Sequence, residues 1–374
     1  MKTTRQPVFL TALFALILLQ IGTSFAVRAN NPGPTKGSIA LKSLTSITFN
    51  KDGVLFLADP LGSRLYAIET KATTDAVPEK VSISSIDVKV AALLGVQPKD
   101  VKIQDMAVHP LTKEIYLSVT RNVEPVQSVI VKVDHQGKLV PVSLADVSYY
   151  ETTLTDVPAP GAKLPKEWMT LALAVTDMAF VDGELFVSGL SGEQFTSKLR
   201  RFAYPFANKS EAVQLEIFHT SHDRYESTSP IETFLPFTVN GQPHILAGYG
   251  CSPVAKFSMK DIRSNKQLRG ITLAELGGGN RPLDMIAYKK EGKDFVLIAN
   301  SDRTLMRMSS ADLDKGMPLT TVVPGAYVDA GVNYLSIAEV GIMQLDDYDD
   351  KSFLVIKRDI GNGSLNMTSM EKWF

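Results

Sequence analysis

Short runs of β-branched and apolar residues, separated by turn-forming residues, recur along the whole chain. The clearest stretch covers residues 105–142, where four such runs alternate with prolines, glycines and polar residues. The runs cover 106–109, 114–119, 128–134 and 138–142. Runs of this length between turn signals predict four short strands in one small antiparallel sheet, which cannot bury both of its faces alone.

The same pattern returns often enough to predict an array of six four-stranded units. The first strand of each unit begins near Ile47, Met106, Met178, Thr233, Met285 and Val340. Stacking such units in a ring buries both faces of every sheet. The sequence therefore predicts an all-β fold, a six-bladed β-propeller.

The two ends of the repeat array predict how the ring closes. The last unit has only three predicted strands before the chain stops at Phe374, and a spare stretch, residues 38–42, precedes the first unit. We predict that residues 38–42 complete the last blade, because closure removes sheet edges that invite aggregation. Residues 30–37 are a predicted linker, and residues 38–374 are a predicted single domain.

The N-terminal residues 1–29 have the pattern of a secretory signal peptide. Lys2 and Arg5 precede an apolar run, and cleavage after Ala26 or Ala29 fits the preference for small residues. This predicts a secreted or periplasmic protein with no membrane span in the mature chain. The apolar run is also long enough to stay as an uncleaved membrane anchor.

The charge balance and the cysteine content limit the classes of partner and the kind of fold stabilisation that we expect. Lys and Arg total 39 and Asp and Glu total 40, so no net field attracts nucleic acid or an anionic membrane. Cys251 is the single cysteine of the sequence, so the chain has no internal disulfide framework. We expect a monomer that does not bind nucleic acid.

Strand order predicts which end of the ring carries function. In each unit the loop from strand two to strand three shares one face with the link to the next unit. The long insertions are mostly such links, and we call this loop-rich end the top face. Loops gathered on a rigid scaffold usually build binding sites, so we predict that a small molecule, a glycan or a protein binds here.

Acidic residues stand before most predicted first strands and suggest a site at the mouth of the central channel. Asp105, Asp177, Asp284 and Glu232 are candidate ligands of Ca²⁺ or another divalent cation, because such ions prefer oxygen donors. Alternatively, each acid accepts backbone N–H groups of its own turn. The candidate ligand-binding set is Asp105, Asp177, Glu232, Asp284, Glu339, Arg281 and Arg303. By contrast, the acidic run 346–350 is predicted to be a solvated hairpin turn on the opposite face.

A second group of candidates lies in top-face loops. His219 and His222 flank a polar turn, and Cys251 follows the second strand of the fourth unit. A thiolate beside two imidazoles is a candidate metal ligand or nucleophile. A solvated polar loop with an ordinary thiol is the alternative. No catalytic motif such as G-x-S-x-G occurs.

Two segments carry a family resemblance. Residues 59–66 (DPLGSRLY) and 300–306 (NSDRTLM) resemble the strand-two to strand-three crossing of NHL-type propellers. The chain is also similar to gluconolactonase-like propellers, which implies a top-face divalent cation and hydrolysis of a lactone or ester. It departs from that family at Leu44-Thr45-Ser46, where the family has a glutamate. Two functions follow as expectations: a binding module, or a metal-dependent lactonase or esterase.

Overall fold

The chain divides into two compact units, Met1–Pro32 and Gly33–Phe374. A computed structural model describes residues 1, 33–70, 80–162, 171–192, 194, 196–207, 210–325 and 327–374. Apart from Met1, the predicted signal peptide and its cleavage positions lie outside the described residues. Within the described part, no helix is both long and apolar enough to cross a bilayer.

The described residues between 33 and 162 form ten strands, one α-helix and a 3₁₀ turn at Pro98–Asp100. The elements are β1 Thr35–Gly37, β2 Ile47–Phe49, β3 Val54–Asp59, β4 Arg64–Glu69, β5 Ser82–Ile83, α1 Ile86–Leu94, β6 Val101–Val108, β7 Ile115–Arg121, β8 Gln127–Val133, β9 Leu139–Pro141 and β10 Val147–Thr153. Helix α1 ends at Leu94 and is capped by Gly95, whose φ of 65° is the left-handed conformation that glycine adopts after helix ends.

The described residues between 171 and 276 add ten strands, one α-helix and 3₁₀ turns at Ala172–Ala174 and Thr220–His222. The elements are β11 Asp177–Val181, β12 Glu184–Leu190, β13 Ser197–Ala203, β14 Ser210–His219, β15 Arg224–Glu226, β16 Ile231–Val239, β17 Gln242–Tyr249, β18 Pro253–Ser258, α2 Met259–Ser264, β19 Gln267–Arg269 and β20 Ile271–Leu276. Ser258 caps α2 by accepting the N–H of Asp261.

The described remainder of the chain adds eight strands and one helix. The elements are β21 Pro282–Lys290, β22 Lys293–Asn300, β23 Leu305–Ser309, α3 Ser310–Lys315, β24 Asp329–Gly331, β25 Leu335–Ile337, β26 Ile342–Asp347, β27 Ser352–Arg358 and β28 Leu365–Glu371. Ser309 caps α3 by accepting the N–H of Asp312. Second strands such as β3 and β22 are almost fully buried, because a blade covers each of their faces.

The strands form six antiparallel blades, which confirms the predicted six-bladed propeller. We number the blades by the order of their innermost strands along the chain. Blade 1 is β2-β3-β4-β10 with β1 outside, blade 2 is β6-β7-β8-β9, blade 3 is β11-β12-β13-β14 with β15 and β19, blade 4 is β16-β17-β18-β20 with β24, blade 5 is β21-β22-β23-β25 and blade 6 is β26-β27-β28-β5.

The blades do not follow one another around the ring in chain order. The inner strand of blade 1 lies beside those of blades 2 and 3, and blade 2 also lies beside blade 6. The order around the ring is therefore 1, 3, 4, 5, 6, 2. Six clusters of buried apolar side chains fill the described ring, one at each interface between adjacent blades.

This ring order places the closure differently from the sequence prediction. Blade 6 is completed by β5, where Ser82 pairs with Thr368, and residues 38–42 form no strand. Blade 2 lies between blades 1 and 6 in the ring. The chain therefore passes the outer edge of blade 6 on its way from blade 1 to blade 2. Residues 38–42 stay at blade 1, where the carboxylate of Asp59 accepts the N–H of Lys42 at 3.0 Å.

Blade 1 is also completed from a distant part of the chain. Its fourth strand is β10, inside a segment that the sequence predicted to be only a link between blades. Strand β1 pairs with β10, so the predicted linker, residues 30–37, contains a strand of the propeller. Tyr149 of β10 packs against Tyr66, and Tyr150 packs against Tyr204, so both rings help to hold β10 in the propeller.

Candidate functional site

Four aspartates face the central channel and share one arrangement. Each accepts the N–H of the following residue with one carboxylate oxygen. The other oxygen accepts an N–H from the inner strand of a neighbouring blade at 2.6–2.8 Å. The donors are Ile47 for Asp105, Phe234 for Asp177, Leu345 for Asp284 and Val108 for Asp346. These carboxylates tie blades together across the channel wall.

Burial raises the pKa of all four carboxyl groups, and nearby carboxylates raise the pKa of Asp105, Asp284 and Asp346 further. Burial, and then the neighbouring Asp177, raise the pKa of Asp105 to about 7. Burial raises the pKa of Asp177 to about 6 and that of Asp346 to about 7, and it raises the pKa of Asp284 well above its ordinary value. Desolvation penalises the charged form and so favours the protonated acid.

The channel cavity lies toward the face opposite the predicted one. It has a volume of about 390 Å³ and is lined by the inner strands of all six blades. Its lining continues from the aspartates to Asn50, Lys51 and Pro110, which lie at the turns between strands one and two. The predicted ligand site at the channel mouth was placed on the top face, whereas this cavity extends toward the hairpin face.

A β-bulge explains which predicted acids reach the channel. The ladders of blades 4 and 5 each skip one residue, so Thr233, not Glu232, occupies the register position of Asp284. The hydroxyl of Thr233 donates a hydrogen bond to the channel carboxylate of Asp177 at 3.1 Å. Asp346, two residues beyond the equivalent position in blade 6, was predicted to lie in a solvated turn and instead faces the channel.

The other predicted ligand-binding residues form separate polar pairs. Arg281 donates from Nε and Nη2 to the two carboxylate oxygens of Glu232, at 3.1 and 2.7 Å. Lys357 pairs with Glu339 at 2.5 Å, and Arg303 donates to the carbonyl of Tyr327 at 3.1 Å. The predicted metal set of Asp105, Asp177, Glu232 and Asp284 is thus split, with Glu232 outside the channel.

A different group of donor atoms comes together on the top face. Among the described residues, one ligand atom each from His219, His222 and Cys251 lie within 4.8 Å of one another. Strand β14 ends at His219, and the 3₁₀ turn carries His222 back over it. The turn then reverses at Asp223, whose φ is 51°, and β15 returns antiparallel to β14.

Glu226 lies beside both imidazoles. It is the last residue of β15 and is only 10% exposed, and its Oε1 lies 2.8 Å from Nδ1 of His222. The same oxygen contacts Nδ1 of His219, which is 1% exposed. Although burial opposes it, hydrogen bonding from both histidines lowers the pKa of Glu226 to about 2. We call His219, His222, Glu226 and Cys251 the His–Cys cluster.

A cavity of about 450 Å³ lies next to this cluster on the top face. Its polar wall includes Ser221, Glu275, Gly278 and Gly279, and its apolar wall consists of residues 322–325, Tyr327 and Val328. Glu275 is 2% exposed and accepts hydrogen bonds from the hydroxyls of Thr220, Ser221 and Ser252. Those hydroxyls come from both loops of the His–Cys cluster, so Glu275 joins the cluster to the wall of the cavity.

The glycine run has a structural role at this cavity. Gly279 has a φ of 85°, and a Cβ atom there would lie 3.3 Å from the ring of Tyr327. A Cβ atom on Gly277 would lie 2.6 Å from the guanidinium of Arg303. The glycines at 277 and 279 therefore leave room for Arg303 and Tyr327 to approach the backbone closely.

The NHL-like motif residues also have structural roles. Asp59 accepts the N–H groups of Ser43 and Gly62 at 2.8 and 2.9 Å, which fixes the turn after β3. Asn300 accepts a hydrogen bond from the side chain of Asn280 at 2.8 Å and donates to the carbonyl of Thr304 at 3.0 Å.

We compared the chain with family models, curated proteins and solved structures. No family model matches the chain, and no curated protein matches it. Among solved structures, the chain is similar to the extracellular domain of a protein described as a one-component system of B. thetaiotaomicron, at 10% identity and a TM-score of 0.39, covering 89% of this chain and 39% of that one. It is also similar to the β-propeller domain of Swd1 from Myceliophteria thermophila, at 12% identity and a TM-score of 0.38, covering 87% of this chain and 84% of that one.

A third similar structure is the extracellular region of plexin A4, at 9% identity and a TM-score of 0.43. The match covers 91% of this chain and 40% of that one. The chain thus spans about two fifths of the plexin region and of the B. thetaiotaomicron protein. The resemblance to NHL-type and gluconolactonase-like propellers, and the predicted export, stay predictions.

Proposed function

We propose that the protein is a binding module that holds a small neutral molecule in the top-face cavity beside Tyr327. The observation that carries this proposal is the composition of that cavity. At about 450 Å³ it has the size of a small-molecule site, and it combines an apolar wall with a few polar groups.

The apolar wall favours a ligand rather than solvent. Tyr327 is 68% exposed, and Val322 and Val328 on the same segment are 46% and 43% exposed. Large apolar side chains clustered on one surface are typical of interaction sites. An aromatic ring with a polar hydroxyl offers a flat apolar contact and a hydrogen bond in one side chain.

The polar wall suggests the chemistry of the ligand. Ser221 contributes a hydroxyl, and Gly278 and Gly279 contribute backbone groups that carry no side chain of their own. Both carboxylate oxygens of Glu275 already accept hydroxyl groups from the protein. These groups suit a neutral molecule with an apolar face and several hydroxyls, which is the chemistry of a sugar ring.

Saturation-transfer NMR with a set of neutral mono- and oligosaccharides tests this function. We expect transfer to at least one saccharide with the wild-type protein, and at least tenfold weaker binding for Tyr327→Ala. Trp373→Ala is the matched control, because Trp373 is also an exposed aromatic side chain, 67% exposed, near the C-terminus. No transfer to any saccharide, or equal binding by Tyr327→Ala and wild type, would contradict the proposal.

The alternative is the metal-dependent lactonase or esterase that the gluconolactonase-like resemblance implies. In that function, a divalent cation at the channel aspartates would activate water against a lactone or ester. Each aspartate already accepts two backbone hydrogen bonds, which leaves fewer lone pairs for an ion. Release of acid from a simple δ-lactone, dependent on calcium and lost in Asp284→Asn, would favour this alternative.

A further inference from the structure

Two loops from different blades bring nitrogen and sulfur donors together in the His–Cys cluster. His219 and His222 come from the turn after β14 in blade 3, and Cys251 comes from the loop after β17 in blade 4. Their ligand atoms lie within 4.8 Å of one another. In a tetrahedral zinc site the donors lie roughly 3.5 Å apart, so small side-chain movements would close this gap.

A buried imidazole nitrogen points independently to a ligand. The side chain of His219 is 1% exposed, and its Nε2 has no hydrogen-bond partner among the residues that the structure describes. Buried polar atoms are almost always paired, and an exception calls for an explanation such as an ion. A metal ion bound through Nε2 would satisfy this atom.

Glu226 holds both rings by their other nitrogens. Its Oε1 contacts Nδ1 of His219 and lies 2.8 Å from Nδ1 of His222. The two rings lie with centroids 4.0 Å apart and an interplanar angle of 35°. A carboxylate that accepts the second N–H of a histidine is the usual support of a metal-binding imidazole, because it fixes the tautomer and the orientation of the ring.

The donor set identifies the class of metal. Two imidazoles and a thiolate suit zinc, which takes nitrogen and sulfur ligands and often three protein ligands with a fourth position open. Calcium and magnesium prefer oxygen donors and would not select this group. A trigonal set of two histidines and one cysteine also occurs in copper sites, so the experiment must distinguish the two metals.

We propose that His219, His222 and Cys251 bind a zinc ion, with Glu226 as the residue that positions both imidazoles. This site is separate from the saccharide cavity of the proposed function, and its zinc binding does not depend on that function. The fourth coordination position is left for water or a ligand.

Isothermal titration with zinc, after removal of metal by a chelator, tests the site in the purified full chain. We expect one equivalent to bind the wild type, and binding at least a hundredfold weaker in Cys251→Ser and His222→Gln. Glu226→Gln should weaken zinc binding by 10- to 100-fold, as for a supporting carboxylate. His244→Gln is the control, because His244 contacts the carbonyl of Gln242 on β17 and lies outside the cluster.

Cobalt substitution tests the ligands by a second signal. Cobalt in the wild-type site should show tetrahedral ligand-field bands and a thiolate charge-transfer band, and Cys251→Ser should lose the charge-transfer band. His222 is 35% exposed, so His222→Gln keeps the test decisive if Cys251→Ser fails to fold. Absence of zinc binding, equal zinc affinity in wild type and His222→Gln, or tight binding of copper but not zinc would overturn the proposal.

Discussion

Asp346 accepts a hydrogen bond from the backbone N–H of Val108 at 2.6 Å, across 238 residues of the chain. This bond joins the last blade to blade 2, which lies between blades 6 and 1 in the ring. Asp105 continues the connection by accepting the N–H of Ile47 in blade 1 at 2.8 Å. Two carboxylates therefore fasten the channel side of the ring at the place where its order departs from that of the chain.

The first prediction concerns this fastening. Asp346→Ala removes the acceptor of the N–H groups of Val108 and Asp347, and we expect a loss of about 2 kcal/mol in the free energy of unfolding. Asp350→Ala, in the exposed turn of the same hairpin, should change it by less than about 0.5 kcal/mol. Urea denaturation measures both, and equal effects would show that Asp346 does not fasten the blades.

The second prediction concerns pH. Burial raises the pKa of Asp105 to about 7, above its unfolded value near 4, so the native state keeps this proton longer than the unfolded state does. Between these values unfolding releases a proton, and stability from this group is present below about pH 4 and is lost as the pH rises through about 7.

Asp105→Asn isolates that contribution. The free energy of unfolding of the wild type relative to Asp105→Asn should be about 1–2 kcal/mol larger at about pH 5 than at about pH 8, because only part of the interval between the two pKa values lies in this pH range. The pH dependence of stability that comes from Glu226 has the opposite sign. Its pKa is lowered, so the stability it adds is lost as the pH falls. A relative stability that is flat or rises with pH would contradict the raised pKa of Asp105.

The third prediction concerns the buried Arg200. Its Nε binds Asp156 at 2.7 Å, and its other nitrogens donate to the carbonyls of Ala174 and Leu190. Arg200→Met leaves these acceptors without their donor, so we expect a loss of about 3 kcal/mol in the free energy of unfolding. Arg269→Met removes an exposed ion pair with Glu216 and should destabilise the protein far less, because exposed pairs contribute little. Similar losses in the two variants would refute the role assigned to Arg200.

The fourth prediction tests the closure. Ser82 and Thr368 are paired across β5 and β28, so a Ser82→Cys/Thr368→Cys variant in a Cys251→Ser background should form a disulfide on mild oxidation. The pair Ala40→Cys/Thr368→Cys should not, because residues 38–42 stay at blade 1. Mass spectrometry of peptides before and after reduction distinguishes the two. A disulfide in the second pair alone would contradict this structure and support the predicted closure, in which residues 38–42 complete the last blade.

Local patterns predicted the blades well. The four strands of blade 2 match the runs predicted in residues 105–142, because each blade depends on nearby turns and β-branched strands. The order of the blades could not be predicted in this way. Each blade has the same local pattern whichever neighbour covers its faces, so only packing between distant parts of the chain decides that blade 2 lies beside blade 6.

The candidate site was predicted less completely. The sequence does not determine the strand register at Glu232 or the distance between side chains from different blades. Glu232 is itself the residue that the bulge of blade 4 leaves unpaired, so Thr233 takes the channel position that Asp284 has in blade 5. Asp346 was missed because an acidic run beside a turn has the composition of a solvated hairpin. The nearness of His219, His222 and Cys251 was raised as a hypothesis from their shared face, but their spacing depends on how two blades pack.

We have proposed that a metal ion binds in the His–Cys cluster on the top face and not among the channel aspartates. Anomalous diffraction at the zinc absorption edge, from crystals of the protein grown with zinc, tests it most directly. We expect one strong peak bounded by Cys251 Sγ and the imidazoles of His219 and His222. A peak at Asp105, Asp177 and Asp284 with none at the cluster, or no peak at either place, would contradict the claim.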